Sequence, residues 1–259
     1  MDPASGRTIE TVTGDARPFG DTVRRTAQPW SASVQAVLRH LQRAGISGVP
    51  LPLGFDELGR EVVSYVAGDV WDYPLPEVAW RDSTLVATAV LLRRLHDATV
   101  GFEPPADARW MLTMPGDLPA EVVCHNDFAP YNIVFGDDGP VGVIDWETAA
   151  PGARVWDVAY AAYRWVPLSL FAPAELRDVR AQARRLRLFC DAYGLDDGDR
   201  AMLLPTTARR VAALRDLIVT EAAGGNAVFA AHLADGHVQE YDADLAYLRA
   251  SGSALAESL

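Results

Sequence analysis

Lysine is missing from this chain: all 23 basic residues are arginine, set against 35 carboxylates for a net charge of −12. With abundant Ala, Asp, Gly and Pro, the absence has the look of coding from a GC-rich genome. The acidic balance argues against binding a phosphate backbone, so nucleic acid is excluded as the main partner. Cysteine is scarce too. Cys124 and Cys190 stand far apart and form no CxxC pair, which predicts two buried thiols in a reducing compartment. The five histidines (His40, His96, His125, His232, His237) show no zinc-type spacing with cysteine. No apolar run approaches the ~18 residues needed to span a bilayer. The first residues, Met1 to Gly6, lack the charged-then-apolar pattern of a secretory signal. A cytoplasmic protein without membrane contact is expected, and its oligomeric state is not legible.

What is present reads as globular. Hydrophobic residues make up 49% of 259, enough to bury one large core or two unequal lobes. Thr8–Thr13 and Asp21–Arg25 are short β-prone pieces broken by Gly14, Pro18, Gly20 and Pro29, a strand-turn-strand unit. Val34, Val37, Leu38 and Leu41 repeat at helical spacing, with Gly45 and Gly48 as the stop. Pro50 to Gly54 reads as a connector, and Arg60–Val66 as a strand after the turn at residues 56–59. Texture changes at Gly68, which sets a boundary near residue 67. An amphipathic helix follows from Asp82 to Ala98, its apolar face built from Leu85, Ala89, Leu92 and Leu95. Val122–Cys124, Ile133–Phe135 and Val141–Ile144 are short buried strands, the last two around the turn at 137–140. From Pro151 onward the pattern is mostly helical. The fold class predicted is α+β: a small β-rich lobe over residues 1–67, then a larger, mostly helical lobe over 68–259 that carries a β-hairpin.

The chemistry concentrates in His125-Asn126-Asp127-Phe128-Ala129-Pro130-Tyr131-Asn132, which leaves one strand and enters another. Asp145 follows thirteen residues after Asn132, in Val143-Ile144-Asp145-Trp146-Glu147. Phosphoryl transfer asks for such a set: one carboxylate to orient the acceptor hydroxyl or accept its proton, and a neutral amide oxygen with a second carboxylate to hold magnesium. Hard oxygen donors suit that ion, which binds through few protein groups and keeps several waters. Two strands joined by a tight turn bring Asn132 and Asp145 to one end, close to Asp127.

HxDxxxxN followed by a strand and IDxE resembles the catalytic and metal-binding loops of the aminoglycoside phosphotransferase and choline kinase-like family. Trp156-Asp157-Val158-Ala159-Tyr160 and Leu91-Leu92-Arg93-Arg94-Leu95-His96-Asp97 resemble it as well, in matching order across most of residues 20–259. The resemblance implies a protein-kinase-like two-lobed fold and an ATP- and magnesium-dependent O-phosphotransferase acting on a small hydroxylated molecule, aminoglycoside-like antibiotics among them. It implies Asp127 as catalytic base, His125 as the brace of its loop, Asn132 and Asp145 as magnesium ligands with Glu147 beside the metal, and Asp157 as an anchor behind the loop. Asp157 also reads as an ordinary helix N-cap.

Departures from the family pattern lie in the N-terminal lobe. Related kinases place a lysine on a small-lobe strand, paired with a helix glutamate. Here Arg25 is the preferred substitute and Arg24 the second, since alternation puts Val23 and Arg25 on one face. Val34 and Gln35 stand where the helix glutamate is expected, so no such ion pair is predicted. Thr13–Gly20 is not a GxGxxG loop, and Pro18 removes an N–H that could cradle phosphate. Ser64 and Val66 fall where adenine would meet the backbone. Net acidity suits a cationic acceptor, with Glu221, Glu240 and Asp244 as candidates for recognising amines. Two other functions fit the same residues: a nucleotide-binding pseudokinase with little or no transfer, and a kinase of a peptide or protein hydroxyl.

Overall fold

The computed structural model describes residues 16–169 and 172–259; the predicted strand Thr8–Thr13 and the start of the phosphate-loop segment lie outside them. The chain divides into two compact units. One takes in the described residues up to Trp71, Leu95–Asp127 and Tyr131–Ala153; the other takes in Asp72–Arg94, Phe128–Pro130 and Arg154–Leu259.

The first unit opens with a hairpin of β1 (Arg17–Phe19) and β2 (Thr22–Thr26). Helix α1 (Ser31–Arg43) follows, then β3 (Pro52–Phe55) and β4 (Arg60–Ser64). The four strands form an antiparallel sheet in the order β1-β2-β4-β3, with Arg25 directly opposite Glu61. The predicted connector at 50–54 therefore contains an edge strand. Proline is tolerated there because it is the strand's first residue, and the register shifts between Pro52 and Gly54. Strand β4 stops at Ser64, short of the expected Val66.

Helix α1 buries Val34, Val37, Leu38 and Leu41, the i, i+3, i+4, i+7 stripe of its sequence. Gly45 ends it at φ +74°, with its N–H bonded to Gln42 and that of Ile46 to Leu41, the paired bonds of a Schellman cap. Gly48 plays a different part from the expected helix stop. A Cβ there would lie 1.9 Å from the Val141 carbonyl oxygen, and its own carbonyl accepts from Val143 N–H at 2.8 Å.

Three further pieces complete this unit. β5 (Asp69–Val70) pairs with β7 (Ile133–Gly136), which pairs with β8 (Gly139–Val143); β6 (Val122–Cys124) pairs with β9 (Ala150–Gly152). Trp71 stacks on Phe135 at 3.6 Å between ring centres. The β7–β8 hairpin is the one predicted around residues 137–140. Its Gly142 faces Gly48, where a Cβ would come within 2.3 Å of the Gly48 carbonyl oxygen. Two glycines thus let the segment after α1 touch the strand that leads into Asp145.

The second unit is helical: most of α2 (Asp82–Ala98), then α3 (Arg154–Trp165), α4 (Val179–Tyr193), α5 (Asp197–Ala223), α6 (Ala227–Ala234) and α7 (His237–Ala256). Trp165, Leu186, Phe189, Leu203 and Val211 are buried in its core. Arg185 is buried among them, donating to the carbonyls of Trp80 and Trp165 at 2.7 and 3.0 Å, which explains how a guanidinium survives there. Cys124 and Cys190 are buried, one in each unit. Among the described residues no single helix is long and apolar enough to cross a membrane.

Gly48→Ala combines a left-handed backbone with a direct overlap on Val141. It should lower stability by about 2–4 kcal/mol, read as a lower urea midpoint with an unchanged slope, whereas Gly101→Ala meets only open space and should cost less.

Candidate functional site

The first-unit residues of loop 125–132 are held by cross-links to the residues after β8. His125 is buried, and its Nε2 lies 3.0 Å from the Ile144 carbonyl while Nδ1 accepts from Asp127 N–H at 3.3 Å. That pair of contacts assigns the neutral tautomer with the proton on Nε2. Thr148 Oγ1 donates to the His125 carbonyl at 2.8 Å, and Asn126 Nδ2 donates to that of Thr148 at 2.9 Å. The His125 ring also meets Trp146 edge-on at 4.8 Å. Asn126 and Asp145 are the two non-glycine residues with positive φ among those described, at +65° and +58°. Asn and Asp tolerate this region better than other residues, so the turns cost little.

Asp127 is half-buried at the end of this loop. Its Oδ1 accepts from the Tyr131 hydroxyl at 2.8 Å, and its Oδ2 from Asn132 Nδ2 at 2.8 Å. The same Asn132 nitrogen donates to the Asp127 carbonyl at 2.9 Å. Both amide protons are thus spent on Asp127, leaving the Asn132 oxygen as the group able to ligate a cation. Ile144 N–H donates to the Asn132 carbonyl at 2.9 Å, which ties Asn132 to the residue before Asp145.

Arg25 reaches this cluster from β2. Its Nε donates to Glu61 at 2.7 Å, and Nη1 lies 3.0 Å from Glu147 and 3.5 Å from Asp145. Glu61 is fully buried and also accepts from Ser31 Oγ at 3.2 Å and Gln35 Nε2 at 3.0 Å. Burial works to lower the pKa of Arg25, but Glu61, Glu147 and Asp145 together hold it above its ordinary value. Asp145 is pushed up from 3.8 to about 7, first by burial and then by repulsion from Glu147, with Arg25 opposing and Asp127 adding to the rise. Asp145, Glu147 and Glu61 therefore share one guanidinium. Hard oxygen donors crowded together with carboxylate charge fit a divalent magnesium ion. Among the described residues no three His, Cys, Asp or Glu side chains are grouped so that they could hold a metal ion by themselves.

The remaining predicted residues lie elsewhere. Arg24 points away from Arg25, to Asp56 at 3.5 Å and over the Phe19 ring at 4.2 Å. Ser64 donates its N–H to Leu51 and accepts from Leu51 N–H through its hydroxyl, so its own donor is engaged; Val66 packs beside Gly142. In the second unit Asp157 is buried in the first turn of α3, inside the helix and not at its cap. Asp244 is buried and accepts from the Tyr163 hydroxyl at 2.5 Å; Glu221 is half-buried and Glu240 exposed. No helix glutamate pairs with Arg25, and Gln35 stands on α1 where one was sought; the acid that does pair with it comes from β4, as Glu61. Alternation alone does not give strand register, so Glu61 and the contacts of Gln35 and Tyr131 are not legible in the sequence. The cross-strand pairing of Arg25 with Glu61 was the one signal that could have exposed the first of them.

A carboxyl raised by burial carries a pH signature. Between about pH 4 and 7 Asp145 holds its proton in the folded chain and loses it in the unfolded one, so raising pH through this window costs stability. Denaturant titrations of the metal-free protein should show stability falling across it relative to Asp145→Asn. Parallel pH profiles for the two proteins would contradict the raised value.

The chain is similar to several known proteins. The model of the phosphotransferase enzyme family matches residues 104–202, which include the loops just described. The trifolitoxin immunity protein of Rhizobium leguminosarum bv. trifolii is 37% identical over 185 residues, 68% of this chain and 69% of that protein. Among solved structures, a choline/ethanolamine kinase family protein from Mesorhizobium loti superposes with a TM-score of 0.62 at 19% identity, covering 95% of this chain and 94% of its own. Choline kinase LicA from Streptococcus pneumoniae gives 0.62 at 13%, covering 94% and 93%. Amicoumacin kinase hAmiN, solved with AMP-PNP and Ca2+, gives 0.61 at 13%, covering 85% and 88%. The fold is the two-lobed α+β fold of the kinase-like proteins, and the chain belongs to the phosphotransferase enzyme family, whose members transfer phosphoryl groups to hydroxyl acceptors.

Proposed function

We propose that the protein is an ATP- and magnesium-dependent O-phosphotransferase that modifies a small hydroxylated molecule. The observation that carries this reading is the convergence of Asp127, Asn132, Asp145 and Arg25 in one buried, acid-rich cluster. Residues 1–67 form the nucleotide-binding lobe and 68–259 the lobe that carries the acceptor site. Asn132 and Asp145 would hold magnesium, with Glu147 adding charge beside them; the ion supplies charge neutralisation for the phosphates. Ser64 and Val66 lie at the adenine side, where the Val66 backbone is the better contact, and Arg25 faces the phosphates.

Asp127 performs the remaining chemistry. Its Oδ1 and Oδ2 are fixed by Tyr131 and Asn132, so the carboxylate is aimed before any acceptor arrives. It orients the acceptor hydroxyl and takes its proton as that oxygen attacks the γ-phosphorus of ATP, whose bond to the bridging oxygen breaks so that ADP leaves. Held geometry of this kind is the main contribution such enzymes make. His125 does not touch the reacting atoms and acts by bracing the loop.

Identity to a toxin immunity protein favours an acceptor that is a toxin or antibiotic, inactivated by phosphorylation. Net acidity suits a cationic one. The protein works in the cytoplasm, where ATP is supplied.

Asp127→Ala should lower turnover by about a hundredfold to ten-thousandfold while nucleotide affinity stays within about threefold. Asp145→Ala should abolish the magnesium dependence of binding a non-hydrolysable ATP analogue in calorimetry. Full activity in the first variant, or unchanged magnesium dependence in the second, would remove the assignment.

A further inference from the structure

We infer that Glu61, on strand β4, is the residue that positions Arg25 for the nucleotide phosphates, linked to helix α1 by Gln35 and Ser31; this rests on the proposed nucleotide site. The register makes it direct: Arg25 and Glu61 are opposite residues of an antiparallel pair, so their side chains leave the sheet on one face. Glu61 accepts Arg25 Nε on Oε2, at 2.7 Å. Ser31 reaches the same oxygen, and Gln35 donates to Oε1. Gln35 is itself fully buried, donates also to the Val62 carbonyl and accepts from Gly54 N–H at 3.1 Å. Every atom of this relay is committed to one geometry.

Two consequences follow from the shape of a guanidinium. Its nitrogens lie in one rigid plane, so fixing Nε on Glu61 and Nη1 on Glu147 fixes the direction of Nη2. Nη2 is then the nitrogen presented to a phosphate oxygen, as a single cationic donor. The second consequence concerns charge. Without Glu61, Arg25 would be drawn wholly toward Asp145 and Glu147, neutralising carboxylates on the metal side of the cluster. A fully buried carboxylate is costly to keep and gives little net stability even when paired, which points to a positioning role for Glu61 beyond holding the sheet.

The test measures affinity of the full-length protein for a non-hydrolysable ATP analogue with magnesium, for wild type, Glu61→Gln, Arg25→Gln and the double variant. Glu61→Gln should weaken binding at least about tenfold. In the Arg25→Gln background the same change should matter by no more than about twofold, because the residue acts through Arg25. Should Glu61→Gln fail to fold, Gln35→Met loosens the same carboxylate without removing its charge and should weaken binding severalfold, again only when Arg25 is present. Effects of Glu61→Gln and Arg25→Gln that simply multiply, or wild-type affinity in both Glu61→Gln and Gln35→Met, would overturn the inference while leaving the nucleotide site standing. Failure of the wild-type protein to bind the analogue would overturn the nucleotide site itself, and the inference with it.

Discussion

A buried guanidinium among carboxylates is the constraint on which the first unit depends. Arg25 is 7% exposed and Glu61 not at all, so neither can look to water for compensation. Their pairing needs β2 and β4 in one register, and it needs α1 close enough for Ser31 and Gln35 to supply the remaining donors. The same guanidinium must reach Asp145 and Glu147, which lie beyond β8. A shift of one residue in β2 would turn Arg25 to the other face and bring Arg24, now paired with Asp56, into its place. The Gly48–Gly142 approach has its reason here, since it draws β8 against the segment that follows α1.

The loops that carry the chemistry are held by a different economy. They bury Phe128, Ala129 and Trp146. Hydrogen bonds join them as well: the His125 ring to the Ile144 carbonyl, the Asn126 amide to the Thr148 carbonyl, Thr148 to the His125 carbonyl and Ile144 N–H to the Asn132 carbonyl. Left-handed turns at Asn126 and Asp145 fall on residue types that bear them. The result is a pair of loops braced against each other, with Asp127 aimed by two donors and Asp145 left short of positive charge.

The second unit shows how the same physics serves packing. Arg185 is buried on two carbonyls, and Arg210 lies over the rings of Tyr160 and Trp156 at 4.6 and 5.6 Å, so arginine does structural work where lysine is unavailable. Asp244, one of the acids considered for amine recognition, is buried against Tyr163, whose hydroxyl is pushed well above its ordinary pKa, first by burial. Its carboxylate is therefore committed within the fold. Glu240, on the surface of α7, is the more accessible of the candidates.

The sequence by itself determined the elements with strong periodicity and the motif with strict spacing. Helix α1 and helix α2 stand where their apolar stripes put them, the β7–β8 hairpin brackets its predicted turn, and Asp127, Asn132 and Asp145 come to one end of it. These are local facts: a period, a turn, a count of residues between strands. Strand β3 escaped because its proline and its short length look like a connector, and β5 because two residues carry no pattern. What only the tertiary structure decided was which side chains face each other across long separations: Glu61 against Arg25 where no helix acid stands, Asp56 against Arg24, Gln35 as a relay. Register and approach distance choose those partners, and they are set by packing that no single stretch of sequence contains.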